Sequence, residues 1–599
     1  MKYRRLSAAL AVAASGALLL SSCAPGGDAP PPEKAAEGQK FSVEPTNSGL
    51  ADLGDVETQD GTVYVTVGST EFSSYNAMTP QTYNTYTTTP MDRVLSGFVY
   101  FGTDGEIYNN EEFGTFEVES EDPLKVKYTI NEDAKWSDGT DITAADIIFS
   151  WGFQNPRITD GDKPLFNSVS TTWGEFVEQA PEGDVNGKEV TMTFKEPNPD
   201  WRLQVSGIMP AHVVAKESDM SVEELVEAIK AEDADKLKDA AKFWNTGWNT
   251  KPGTLPDEEL IPSSGPYKLK SWDAGQSLTL EANENYWGTK PGIKQIVFRF
   301  VEDDAHVQAL RNGDLDAVQA HPTKDTLDQL QGLDDMIVHQ FDQLTWEHLD
   351  FNHANGPFAD NLELRKAFAM CVPRQGIVDS LIKPLNPDAV VANAREILPF
   401  QEGYDELVEQ SYDGQYDEVN IEEAKKILEE QDAVGTKVRL AYSSPNPRRT
   451  DTVAAIKASC DEAGFEIEDA GSATFFQPGG EQEKGDYEVA LFAWAGSGQI
   501  VSGANIYQTQ ADGKGQQNFN GYSNEEVDKA WDTMSGTLDE EVHKEQRAII
   551  EKHLWDDLHG IPLYAHPSVA ASNSNLLNVR PTSTQNQLFW NMEQWQRAE

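Results

Sequence analysis

Few residues in this 599-residue chain stand in patterns that can do covalent chemistry. Ser380-Leu381-Ile382-Lys383 matches S-x-x-K, in which a lysine amine lies beside a serine nucleophile, but the S-D-N and K-T-G segments that complete such a site are missing. A pattern with two fixed positions arises by chance in a long chain, so a helix surface is expected there. His348, Asp350 and His353 offer the donor types of a transition-metal site, yet their expected role is ordinary packing. There is no H-E-x-x-H, P-loop or G-x-S-x-G. The expectation is a protein without catalytic residues, bound metal or cofactor. Two arginines, Arg395 in Asn393-Ala394-Arg395-Glu396 and Arg448, carry the planar fork that matches a carboxylate in two parallel hydrogen bonds. The competing reading of both is an arginine paired with one of the many acids.

The elements that must position such residues follow from periodicity. Val63, Val65 and Val67 fall on one face of a strand over Thr62 to Gly68, and the polar and aromatic loop Ser69 to Tyr75 follows it. Val126, Tyr128 and Ile130 alternate with polar residues in a half-exposed antiparallel strand. Thr143 and Asp146 frame a capping box for a helix carrying Ile147, Ile148 and Trp151. Later, Val438–Tyr442, a helix from Thr450 to Ala463 closed by Gly464, Phe465–Ile467 and the apolar run Tyr487–Trp494 alternate as strand, helix, strand. That rhythm predicts an α/β fold with a parallel sheet and right-handed crossovers. Asp360 with Glu363, and Ser523 with Glu526, predict two further helix starts. Cys371 and Cys460 both fall on predicted helices; they form either a bridge or two small core residues.

The amino terminus reads as an address. Lys2, Arg4 and Arg5 precede an apolar stretch of about 15 residues, short of the ~20 a bilayer span needs. It ends in Leu20-Ser21-Ser22-Cys23, which resembles the lipobox of bacterial lipoproteins, so residues 1–22 are expected to be removed and Cys23 to be lipidated. Residues 23–60, rich in Pro and Gly at their start, predict a flexible tether. No later segment has 18 uninterrupted apolar residues.

The run Val126 to Thr140, continued by Ile142 to Ser150, resembles the signature of the peptide/nickel family of ABC-transporter solute-binding proteins. Ser264-Gly265-Pro266-Tyr267-Lys268-Leu269, Asn283 to Gly288, Ala309 to Asp316, Pro357 to Arg374, Gly521 to Asn524 and Val527-Asp528 follow in the family's order, so the resemblance spans about 60 to 570. It implies a two-lobe Venus-flytrap fold with an extra subdomain in the first lobe. The expected boundaries are lobe I over 61–300 with the subdomain at about 96–254, lobe II over 301–554, and a return to lobe I over 555–599. It also implies a lipid-anchored, extracytoplasmic monomer that captures oligopeptides or a similar elongated solute and delivers it to membrane permease subunits. The alternative is a lipoprotein of the same fold that regulates envelope glycolipid assembly.

Open α/β sheets bind ligands where loops and helix amino termini meet the carboxyl ends of strands. That rule nominates Ser69, Thr70, Phe72 and Tyr75 after the first strand, Ser444, Asn446 and Arg448 after Tyr442, and Trp494 as an aromatic wall with Gly496 and Ser497 after it, with Arg395 as a second fork. In peptide-binding relatives the loop after the tryptophan supplies an aspartate for the peptide's amino group. Here glycine and serine stand in its place.

Charge limits the partners. With 47 Lys+Arg against 100 Asp+Glu the net charge is −53, which disfavours nucleic acid. Residues 401–432 hold 12 of the acids and predict a solvated face. In such a chain a basic group in a cleft is more informative than a further carboxylate.

Overall fold

The computed structural model describes residues 40–598 except 47, 162, 478, 497, 512–513 and 585–586. Ten strands form one mixed sheet: β1 (Gln59–Gly68), β2 (Tyr267–Asp273), β3 (Ser277–Ala282), β4 (Ile293–Phe300), β5 (Ala317–Ala320), β6 (Met336–Phe351), β7 (Lys437–Ser443), β8 (Glu466–Ser472), β9 (Val489–Ala495) and β10 (Gly560–Asn573). Their order is β8-β7-β9-β6-β10-β5-β1-β4-β3-β2. The predicted strand, helix, strand rhythm holds for β7, β8 and β9, where β7 is parallel to both neighbours. It does not extend across the sheet, because β6 and β10 run antiparallel to each other and β6 to β9.

Local chemistry explains most boundaries. In the strand Leu124–Ile130 the side chains of Leu124, Val126, Tyr128 and Ile130 are fully buried and those between them are not. Thr143 caps the helix Ala144–Phe153, with the Thr143 N–H donating to Asp146 Oδ2 at 2.8 Å in a closed capping box. The helix Pro447–Ala463 starts three residues before the predicted point, because Asn446 accepts the Arg449 N–H and proline suits the first helical position. Two other caps shift by one residue. Asn361, not Asp360, accepts the Leu364 N–H, and Asn524, not Ser523, accepts those of Glu526 and Val527.

The two lobes share the strands β6 and β10. Met336–Asp342 pairs with Pro567–Asn573, and Trp346–Asp350 with Gly560–Ala565; between them the ladder breaks. One core joins the extra subdomain to β1–β4, and a second joins the far halves of β6 and β10 to β7–β9 and their helices. Residues 303–342, expected in lobe II, instead pack beside β1: β5 pairs with β1, and Leu310, Leu327 and Leu330 cluster with Val569 and Ala571. Residues 555–564, expected in lobe I, pack in the lobe II core through Trp555, Ile561 and Leu563. A linear scan misplaces both edges because the crossing lies inside strands that show no composition change. The expected tether also ends early. From Lys40 the chain packs on the carboxyl-terminal segment, where Ser42 pairs with Asn578 and Ala51 with Gln594. Cys371 and Cys460 are joined by a disulfide between two lobe II helices.

Candidate functional site

At the break in the β6–β10 ladder a carboxylate is surrounded by cations. Glu347 on β6 is fully buried, and Arg449, in the first turn of the helix after β7, donates from Nε to its Oε1 at 2.5 Å. His566, at the break in β10, places Nε2 2.6 Å from Glu347 Oε2. Burial alone would raise the Glu347 carboxyl, but the His566 contact and Arg449 hold it well below the usual carboxylate range. Burial lowers the His566 imidazole even against the pull of Glu347. Arg448 is the surplus member. It approaches Glu347 only to 4.0 Å and His566 to 3.3 Å, and its buried Nε has no partner among the described residues. One carboxylate and two guanidiniums leave a net positive charge, and the helix amino terminus adds to it.

The opposite face of the same strands is aromatic. Trp346 on β6 lies opposite Trp494 on β9, and with Leu398, Phe400 and Ala565 they form a small apolar cluster. Trp494 stacks on Phe519 with centroids 5.7 Å apart, and its buried indole N–H has no partner among the described residues. The loop after β9 is held close to the hinge. The Gly496 N–H donates to the Leu344 carbonyl at 3.1 Å, and a Cβ on Gly496 would lie 2.6 Å from that oxygen. Gly498, at φ +68, abuts the Gly105 carbonyl of a lobe I hairpin, where a Cβ would lie 2.7 Å away.

The cluster lies where the two lobes meet, at the ends of β7 and β9. The model of bacterial extracellular solute-binding proteins, family 5, matches residues 115–516. The chain belongs to this family. An uncharacterised lipoprotein of Mycobacterium tuberculosis is 28% identical over 528 residues, covering 84% of this chain and 88% of the relative. The oligopeptide-binding protein OppA of the same species is 24% identical over 579 residues, 92% and 89% of the two chains. Among solved structures, a periplasmic EDTA-binding protein, EppA, superposes with a TM-score of 0.74 at 22% identity, covering 95% of this chain and all of that one. The oligopeptide-binding AppA of Bacillus subtilis, in complex with a nonapeptide, gives 0.62 at 18% identity, covering 90% of this chain and all of that one.

Within this family 5 chain the predicted residues separate. Arg448, Asn446, Ser444, Trp494 and Gly496 lie at the ends of β7 and β9, with Asn446 occupied as a helix cap and Ser444 in a cis bond to Pro445. Ser69 and Thr70 are exposed after β1. Phe72 and Tyr75 are not ligand walls: Phe72 packs edge-on against Trp272, and the Tyr75 hydroxyl donates to the Pro262 carbonyl within the lobe I core. Their spacing follows the core and not the cleft. Arg395 is also corrected. Its guanidinium donates to Glu551 Oε2 at 2.8 Å and to the Gly560 carbonyl at 2.7 Å, and it lies over the Trp555 ring, all in the lobe II interior. Cys23 and Ser497 lie outside the described residues. Ser380 and Lys383 are spent separately on the Gly376 carbonyl and Asp379, and His348 pairs with Asp350. No group of acids, histidines or cysteines among the described residues has metal-site geometry.

Sequence reasoning missed Glu347, Arg449 and His566. Glu347 was detectable as an acid on the strand face that continues with Leu349 and Phe351. Its partners lie about 100 and 219 residues away and no local pattern names them.

Proposed function

We propose that this protein is the lipid-anchored solute receptor of an ABC importer, closing two lobes over an oligopeptide or a similar elongated, carboxylate-bearing solute for its permease. The observation that carries the reading is Arg448, a cation left without a full partner beside the hinge of a chain with a net charge of −53. A carboxylate would complete the guanidinium's hydrogen bonds. The names of two relatives, an oligopeptide-binding protein and an EDTA-binding protein, support solutes that carry carboxylates. The glycine-rich loop after Trp494 offers no acid to a free amino group, so recognition of the carboxylate end is the expected emphasis. The lipobox-like segment Leu20–Cys23 and the lipoprotein relatives support an anchored, extracytoplasmic protein, and no described helix is long and apolar enough to cross a membrane.

The test is native mass spectrometry of residues 24–599 offered a randomised pentapeptide library as free acids and as carboxy-terminal amides. Preferential retention of the acids is expected. Equal retention of acids and amides removes Arg448 from the site; retention of a lipid-like mass from cells, with no peptide, replaces transport by the envelope-glycolipid reading.

A further inference from the structure

The loop that follows Trp494 is gripped by the opposite lobe. Asp200, in the lobe I subdomain, accepts the Ile500 N–H on Oδ1 at 2.7 Å and the Val501 N–H on Oδ2 at 3.2 Å. The carboxylate is rigidly mounted. Asn198 accepts the Asp200 N–H, and the next residue, Trp201, packs edge-on against Phe116 at 4.8 Å on the subdomain sheet. Asp200 is buried and has no salt-bridge partner among the described residues. Burial raises the Asp200 carboxyl; the Ile500 and Val501 amides and the basic side chains of His543 and Arg547, on the lobe II helix Glu540–Asp556, act against it. All the groups that satisfy its charge therefore lie across the lobe boundary. Charge-assisted bonds of this kind are about twice as strong as neutral ones. The same loop touches the hinge through Gly496 and the lobe I hairpin through Gly498.

We propose that Asp200 is a positioning residue for solute capture: it latches the loop carried by Trp494 in the closed arrangement, so that closure and the shape of the aromatic wall are set together. This rests on the reading of the lobe boundary as a solute site. Because the donors are two consecutive backbone amides, the latch is indifferent to the side chains at 500 and 501 and senses only the path of the loop. A solute that displaces Trp494 would misalign both amides at once.

The test uses residues 24–599 with spin labels on cysteines replacing the exposed Asn186 and Gln410, one in each lobe, and pulsed distance measurement with and without the randomised pentapeptide library. Asp200→Ala is expected to lower the ratio of closed to open molecules at least tenfold and to speed release of captured peptides about tenfold, while the melting temperature of the solute-free protein stays unchanged. Asp200→Asn, which keeps one acceptor, is expected to fall between, and it decides the matter if the alanine variant does not fold. An unchanged closed-to-open ratio in the variants, or a wild type open in both conditions, overturns the latch. A library that leaves both proteins at their solute-free ratios, with the wild type the more closed of the two, counts against the peptide reading alone, since the solute-free ratio still reports on Asp200.

Discussion

Two arginines with the same sequence credentials have opposite fates in the fold. Arg395 is sealed into lobe II against Glu551, both side chains essentially without exposure, with the Arg395 and Glu396 amides also donating to that carboxylate. Arg448 stands at the lobe boundary, about one-fifth exposed, beside a carboxylate that Arg449 already neutralises. A buried pair is a closed system whose charges must stay matched, whereas a surplus cation at an edge is open to a partner that arrives later. The difference lies in the balance of charge within one hydrogen-bonded cluster. The residue type does not carry it.

The comparison breaks first on stability. Arg395→Ala or Glu551→Gln leaves an unmatched group in the lobe II interior and should cost about 3–5 kcal/mol in chemical unfolding. A loss below about 1 kcal/mol would show that the Arg395 cluster admits water and is no different from the hinge. Arg448→Ala is expected to do the reverse. It should weaken binding of a free-acid peptide by about 1.5–3 kcal/mol, measured by calorimetry, while moving the unfolding midpoint little. If Arg448→Ala destabilises the empty protein as much as Arg395→Ala does, its charge is structural and the proposed solute contact is wrong.

What the sequence made legible was local. Alternation located β1 and the strand Leu124–Ile130, the Thr143–Asp146 spacing located a helix start, and the order of short blocks indicated a two-lobe α/β architecture. Pairing across long separations was not legible. Asn361 and Asn524 displaced the expected caps because a cap is chosen by which side chain reaches the free amides, and neighbouring Asx and Ser residues look equivalent on paper. The lobe boundary fell within β6 and β10, whose apolar patterns continue through it. Arg395 and Arg448 could not be ranked because their deciding partners, Glu551 and Glu347, lie 156 and about 100 residues away. Phe72 and Tyr75 were assigned to a loop by position, but aromatic residues beside a subdomain core are drawn into it by the area they bury.

The two clusters should also answer acid with opposite signs. Beside Arg395, the half-buried Glu396 carboxyl is pushed up to about 8 by desolvation and by Glu551. Its unfolded value is near 4.5, so between those values the folded state holds a proton that the unfolded state has released, and stability from this group rises as pH falls. At the hinge, burial lowers His566. Below its unfolded value near 6.5 the unfolded chain takes up a proton that the folded site resists, and stability falls with pH. Glu347, held low, stays charged through this window and begins to contribute to acid lability only below about pH 4.5. Unfolding measured between pH 8 and 5 should therefore show Glu396→Gln removing a favourable acid response of up to about 1.4 kcal/mol per pH unit, and His566→Gln removing a smaller unfavourable one. Parallel pH profiles for wild type and Glu396→Gln would mean that Glu396 reaches water, and that the Arg395 cluster is not the sealed half of the contrast.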